Sequence, residues 1–206
     1  MSIPLLEVVD FVTAREINIF KCGRIEWKQF TIRIIKISKR RTTVRETEHI
    51  ANLIDFTRRY SHWYISKISP KQARIRLEVD GHRLHSPFWI VAHLSWTQQA
   101  IVRLAGGPEV QPVWLNYFRI HSSFEEKMHA EIDYETIIDL FNKTHQSTLE
   151  FVRNLDDAIL DEVVDDASWQ DFFKNKRIAL QHLIRHEAYH TGQLGWFCKI
   201  MDIETI

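Results

Sequence analysis

The chain has 206 residues, enough for one ordinary domain or for one domain and an extension. Lys and Arg together number 27, as do Asp and Glu, so the formal net charge is zero and gives no reason to expect nucleic acid or an anionic membrane as a partner. Hydrophobic residues make up 45% of the chain, which is sufficient for a packed core, and histidine is unusually frequent with 11 residues.

The first 41 residues differ in pattern from the rest and are predicted to form an N-terminal extension to a main domain of residues 42–206. Residues 30–34 alternate between apolar and polar side chains, which is typical of a strand. One strand cannot stabilise itself, so this segment either docks on the main domain or is loosely ordered. A solvated surface is expected for its basic cluster, Lys36, Lys39, Arg40 and Arg41.

Two features of the chain predict a cytoplasmic protein. Cys22 and Cys198 are far apart and form no Cys-x-x-Cys pair, so we expect two free thiols in a reducing compartment. No apolar run approaches the ~20 residues that span a bilayer, and the N-terminus lacks a secretory pattern. We therefore expect no membrane partner.

Two helices are predicted in the first half of the main domain. The first covers residues 43–68 and ends before Pro70. Its expected inward seam steps by four and three residues: His49, Leu53, Phe56, Tyr60, Trp63 and Lys67. The second covers residues 87–105, with Ser86 as N-cap and Pro87 in the first helical position. Its expected inward face contains Trp89, Ile90, His93, Thr97, Ala100 and Leu104.

A long aromatic connection and two further helices complete the prediction. Residues 106–132 contain Trp114, Tyr117, Phe118 and Phe124, so they could cover a pocket or be held to the core by these rings. The third helix is predicted over residues 134–155 and the fourth over residues 168–201. Four amphipathic helices without convincing central strands predict an all-α four-helix bundle.

Three histidines on inward faces are the candidate metal ligands. His186 and His190 are four residues apart and therefore share one face of the last helix, while His93 lies mid-way along the second helix. Three imidazoles with an open fourth position are typical of catalytic zinc sites, and the same ligands suit nickel, iron or copper. The alternative is that each is an ordinary core histidine. His182, His49 and His145 are further candidates for the pocket lining.

Residues 186–190 also match the His-Glu-x-x-His motif of zinc proteases, in which the glutamate is the general base. That motif needs a third ligand further along the chain. No histidine follows His190, and Glu204 is nearly terminal, so the protease interpretation is rejected. Glu187 then either orients a ligand or forms a surface ion pair.

Two segments give the chain a resemblance to a known family. Residues 89–94 read Trp-Ile-Val-Ala-His-Leu after Ser86-Pro87, and residues 186–194 pair two histidines with a following Gly-Gln-Leu. Over about residues 43–201 the chain resembles DinB-like (YfiT-related) proteins. The resemblance implies an up-and-down-type four-helix bundle that holds a divalent ion, zinc or nickel, on His93, His186 and His190. It also implies a homodimer.

The functional expectation joins the three histidines to this resemblance. Members of the family include thiol S-transferases that use low-molecular-weight thiols, maleylpyruvate-isomerase-like enzymes and candidate hydrolases. We therefore expect a metal-dependent enzyme that acts on a small molecule, with a low-molecular-weight thiol as one candidate partner. The alternative is a non-catalytic, metal-stabilised bundle with a stress-related binding or scaffold role.

Overall fold

The computed structural model describes residues 44–108, 112–120, 122 and 130–205, and most of these residues are helical. The α-helices are α1 Glu46–Ile65, α2 Pro70–Ala73, α3 Pro87–Leu104, α4 Tyr134–Asn154 and α5 Lys176–Ile200. Two-residue strands β1 Glu78–Val79 and β2 His82–Arg83 form an antiparallel hairpin, and short 3-10 helices cover Val113–Phe118, Asp157–Asp161 and Ala167–Trp169. The prediction of an all-α four-helix bundle is confirmed.

Side-chain caps mark the starts of α3, α4 and α5. Ser86 Oγ accepts a hydrogen bond of 3.2 Å from the Trp89 amide, and Pro87 occupies the first turn of α3, as predicted. The predicted start of the last helix near residue 168 is wrong. Asn175 has an extended backbone and its Oδ1 accepts from the Ile178 amide at 3.0 Å, so α5 begins at residue 176.

The helix directions follow from two hydrophobic clusters, one at each end of the bundle. One joins the end of α1 to the starts of α3 and α4 and the end of α5, through Ile65, Phe88, Ile137 and Phe197. The other joins the opposite ends of the same helices, through Ile50, Leu104, Val152 and Leu180. The directions are therefore up, down, down and up, which corrects the up-and-down order that the resemblance implied. The connection from α3 to α4 is long because it must traverse the bundle.

The predicted inward seam of α1 is wrong. Leu53, Phe56 and Tyr60 are 37%, 55% and 49% exposed. The buried face of α1 instead contains polar as well as apolar side chains: Thr47, Ile50, Ala51, Ile54, Arg58, Ser61 and Ile65.

A buried ion pair explains why polar residues of α1 face inward. Arg58 is 1% exposed and Glu187 on α5 is 3% exposed, and Arg58 Nε lies 2.6 Å from Glu187 Oε1. Arg58 Nη1 also donates to the Phe141 carbonyl at 3.1 Å, and Ser61 Oγ donates to Glu187 Oε1 at 2.8 Å. Thr191 extends this network, since its hydroxyl lies 2.7 Å from Ser61 Oγ. Buried charges are tolerated when paired and hydrogen-bonded in this way, and the network joins α1 to α5.

Several predictions fall on residues that the structure leaves undescribed. They include the extension of residues 1–41 with its strand-like stretch and basic cluster, the start of the main domain at residue 42, and Cys22. Cys198 is described, and it is a buried free thiol. Within the described ranges, no helix has both the length and the apolar character needed to cross a membrane.

Candidate metal centre

Three histidines meet where α3 packs against α5. Ligand atoms of His93, His186 and His190 all lie within 4.8 Å of one another. His93 Nε2 and His186 Nε2 are 3.2 Å apart. Two nitrogens bound to one tetrahedral zinc ion at about 2.0–2.1 Å would be separated by roughly 3.3 Å, so this spacing fits a shared ion. The three side chains that the sequence pattern singled out are therefore brought close enough to hold one metal ion.

Hydrogen bonds hold two of the imidazoles in the tautomer that a metal site requires. His93 Nδ1 donates to the Phe118 carbonyl at 2.6 Å, and His190 Nδ1 donates to Gln193 Oε1 at 2.7 Å. The hydrogen of each neutral ring is thus on Nδ1, and the lone pair is on Nε2. The described His93–His186 contact then has His186 Nε2 as its donor. Partners of this kind orient and polarise metal-ligating histidines.

Burial also keeps the three imidazoles neutral. Desolvation, with the neighbouring His190 as the next cause, lowers the pKa of His186 to about 2. Desolvation likewise lowers the pKa of His93 to about 4 and that of His190 to about 4, against the favourable hydrogen bonds to Phe118 and Gln193. Neutral imidazole is the form that binds a metal ion, so the lone pairs are available throughout the physiological pH range.

Aromatic rings surround the centre. Trp89, one helical turn before His93, stacks on the His93 ring with centroids 4.5 Å apart. His85 stacks in turn on the Trp89 ring, with centroids 3.6 Å apart. His182, one turn before His186, stacks on the His186 ring at 5.2 Å. The structure thus places Trp89 and His182 beside the centre, where the sequence pattern left the role of His182 open.

Other residues considered for the pocket lie elsewhere. His49 is exposed, and His145 Nε2 donates to Asp55 Oδ1 at 3.2 Å on the α1–α4 side. Glu187 faces Arg58 and Ser61 rather than the centre, so the surface-pair interpretation is wrong, and this carboxylate is not placed as a protease base.

Two partners of the histidines were missed in the sequence. Gln193 follows His190 by three residues, so helical periodicity could have identified it as a hydrogen-bond partner. The Phe118 carbonyl could not have been found, because a backbone group in a long connection leaves no side-chain pattern. In the described residues 112–120 the connection is held to the core, as one of the two alternatives predicted: Leu115 and Phe118 are buried, and Trp114 contacts Phe118. Phe124 lies outside the described residues.

Comparisons with known proteins agree with this architecture. A model described as the DinB superfamily matches residues 53–194. The chain is similar in structure to a conserved protein from Enterococcus faecalis, with 13% identity and a TM-score of 0.58 over 77% of this chain and 98% of that one. It is also similar to the colibactin self-resistance protein ClbS, solved in complex with a dsDNA, with 12% identity and a TM-score of 0.51 over 76% and 98%.

These comparisons differ in what they establish. At such low identities the two structural likenesses show the fold alone, and a comparison with curated proteins gives no match. The family model, by contrast, covers more than half of the chain, including all three histidines of the centre. The chain belongs to the DinB superfamily.

Proposed function

We propose that the chain is a metal-dependent enzyme that holds one divalent ion, zinc or nickel, on His93, His186 and His190. Its reaction is thiol S-transfer or the hydrolysis of a small molecule. The observation that carries this proposal is the convergence of three neutral imidazoles, two of which have their Nε2 lone pairs set by Phe118 and Gln193. A core histidine without a ligand needs no such arrangement of three rings.

The chemistry follows from the number of protein ligands. Three histidines leave a fourth position of a tetrahedral ion open. A divalent ion on the three histidines would lower the pKa of a thiol or a water molecule in that open position enough to make it a nucleophile near neutral pH. The surrounding residues have separate tasks: Trp89 stacks on His93 and His182 stacks on His186, while Gln193 orients His190.

The first experiment is metal analysis of the purified protein after mild chelation and reloading with Zn²⁺ or Ni²⁺. We expect roughly one ion per chain, which three imidazoles can hold at an open site. His186→Ala should reduce the bound metal to near zero, whereas His49→Ala, which changes an exposed histidine outside the centre, should leave it unchanged. A stoichiometry near zero for the unaltered protein with every metal would refute the proposal.

The second candidate function is a metal-stabilised bundle without catalysis, with a stress-related binding or scaffold role. The same His186→Ala variant separates the two. An enzyme should keep nearly its full melting temperature and lose a metal-dependent thiol-transfer or hydrolase activity. A structural site should show a collapse of the melting temperature, with no activity that responds to metal.

The remaining expectations about partners stay predictions. The dsDNA complex belongs to ClbS, and the formal net charge of zero of this chain favours a small molecule over nucleic acid. The low-molecular-weight thiol, the homodimer and the cytoplasmic location rest on the resemblance and on composition. Mobility-shift assays with duplex DNA at low salt test the expectation of no nucleic-acid partner, and sedimentation of the purified chain tests the homodimer.

A further inference from the structure

A cleft opens at the N-terminal half of α5, and one of its lining residues, His182, stacks on His186. Its volume is about 290 Å³, at the lower end of the ~300–1,000 Å³ of small-molecule sites. Its lining combines apolar, aromatic and basic side chains: Phe172, Phe173, Ile178, Gln181, His182 and Arg185. The described metal ligands do not line this cleft, so it is a separate feature from the centre itself.

The walls of the cleft expose apolar surface that a ligand could cover. Phe172 is 60% exposed and Ile178 is 39% exposed, although both are large apolar residues. The rings of Phe172, Phe173 and His182 contact one another, with centroid distances of 4.7–5.8 Å. Covering such surface with a flat apolar group is favourable, because it removes apolar area from water.

Arg185 gives the cleft a positive charge. Its Nη2 donates to His182 Nδ1 at 2.7 Å, which holds the guanidinium over the lining. Within the part of the chain that the structure describes, no carboxylate is paired with Arg185, so its fixed polar partner is a neutral ring. A guanidinium has five N–H donors, so most remain for a carboxylate or phosphate, which it binds with two parallel hydrogen bonds.

His182 connects the cleft to the metal centre. It lines the cleft and also stacks on His186 at 5.2 Å. Because Arg185 binds Nδ1, the hydrogen of the neutral His182 ring lies on Nε2, where it can donate to a ligand. A ligand that touches His182 in the cleft is therefore separated from His186 by the His182 ring alone.

We propose that this cleft is the substrate-recognition site and that it takes a small organic anion with a flat apolar body. Phe172 and Ile178 contact the body, Arg185 binds the acidic group, and His182 directs the other end toward the three histidines. As a statement about the substrate, this inference rests on the proposed function. As a statement about binding, it can be measured without metal or turnover.

The test begins with calorimetric titration of the metal-free chain with 2-naphthoate, 2-naphthyl phosphate and the neutral 2-naphthamide. We expect one of the two anions to bind and the amide to bind at least ten-fold more weakly, because charge-assisted hydrogen bonds contribute more than neutral ones. The preferred anion shows whether the natural acidic group is a carboxylate or a phosphate.

Matched variants assign that binding to the cleft. Arg185→Gln should weaken anion binding roughly ten-fold or more, and Phe172→Ser should weaken it several-fold. The controls are Arg83→Gln, at an arginine with a 61% exposed side chain in the hairpin, and Phe56→Ser, at a phenylalanine with similar exposure on α1. Neither control should change the affinity. Absence of anion binding, or equal binding by Arg185→Gln, would overturn the proposal.

A second readout tests whether the ligand reaches the centre. In the Co²⁺-loaded protein, the paramagnetic ion should broaden the proton resonances of the bound naphthyl group, whereas the Zn²⁺-loaded protein should not. Metal binding without this broadening would overturn the link between cleft and centre. If the chain binds no metal but Arg185-dependent anion binding persists, the proposed function fails and the ligand class of the cleft stands.

Discussion

Removing one member of the Arg58–Glu187 pair should be among the most damaging single changes in the bundle. Arg58→Met deletes a guanidinium that is 1% exposed and leaves the Glu187 carboxylate, 3% exposed, with Ser61 as its remaining described side-chain partner. Breaking a buried ion pair typically costs about 3–5 kcal/mol, because the surviving charge stays desolvated. For a chain of this size, 1 kcal/mol shifts the melting temperature by about 2–4 °C, so we expect a decrease of roughly 6–20 °C.

Arg59 provides a matched control one residue away. Its side chain is 74% exposed and pairs with Asp55 four residues earlier on the same helix. Exposed pairs of this kind contribute only about 0.3–0.5 kcal/mol. Arg59→Met should therefore lower the free energy of unfolding by no more than about 0.5 kcal/mol. Both variants remove an arginine from α1, and they differ in burial.

A double-mutant cycle in urea isolates the pair itself. We expect Arg58→Met and Glu187→Gln to be strongly non-additive, because the second change removes the charge that the first left unpaired. The double variant should therefore be much more stable than the sum of the single losses implies. Equal midpoints for Arg58→Met and Arg59→Met, or full additivity in the cycle, would refute the account of α1 as a helix held inward by a buried ion pair.

Three further predictions concern α5. Gln193→Met removes the acceptor of His190 Nδ1 and should weaken metal affinity about 10–100-fold in competition with a chromophoric chelator; unchanged affinity would contradict the orienting role. In the metal-free protein, the folded pKa of His186, about 2, lies below the unfolded value of 6.5, so the unfolded state takes up more protons in acid. The free energy of unfolding of the metal-free protein should thus fall as pH drops below about 6.5, and His186→Gln should make that fall shallower. If the free energy of unfolding of the variant depends on pH with the same slope as that of the unaltered protein, this prediction is refuted. Gly192→Ala should stabilise the chain by about 0.5–1 kcal/mol in urea denaturation, because nothing lies within 4 Å of the added Cβ. Gly195→Ala should gain less, since its Cβ would lie 3.1 Å from the Tyr64 hydroxyl, and an equal gain would contradict this packing.

The sequence predicted α3 well because its decisive signals are local. Ser86 and Pro87 mark its start, and the 3.6-residue period of its apolar stripe places His93 inward. The same period identified the face shared by His186 and His190. Neither inference needed knowledge of a second helix.

The orientation of α1 could not be predicted in that way. Its sequence contains two competing stripes, and the aromatic one that includes Phe56 and Tyr60 looks more apolar than the one that includes Arg58 and Ser61. The second stripe faces inward because Arg58 in it pairs with Glu187 on α5. The two residues are 129 positions apart in the sequence. A long-range ion pair of this kind has no signature in either helix alone. The start of α5 was missed for a simpler reason, since Asn175 was assigned to the helix instead of its cap.

The contact between His93 and the Phe118 carbonyl has a consequence for how this centre can vary among sequences. The acceptor is a peptide group, so replacing the side chain at position 118 cannot delete it, and only the path of the connecting segment can move it. The tautomer of His93 is therefore linked to the route that the chain takes across the bundle. A displacement of this segment by a binding partner, or a change in its length, would alter the lone pair that His93 offers without touching any of the three histidines.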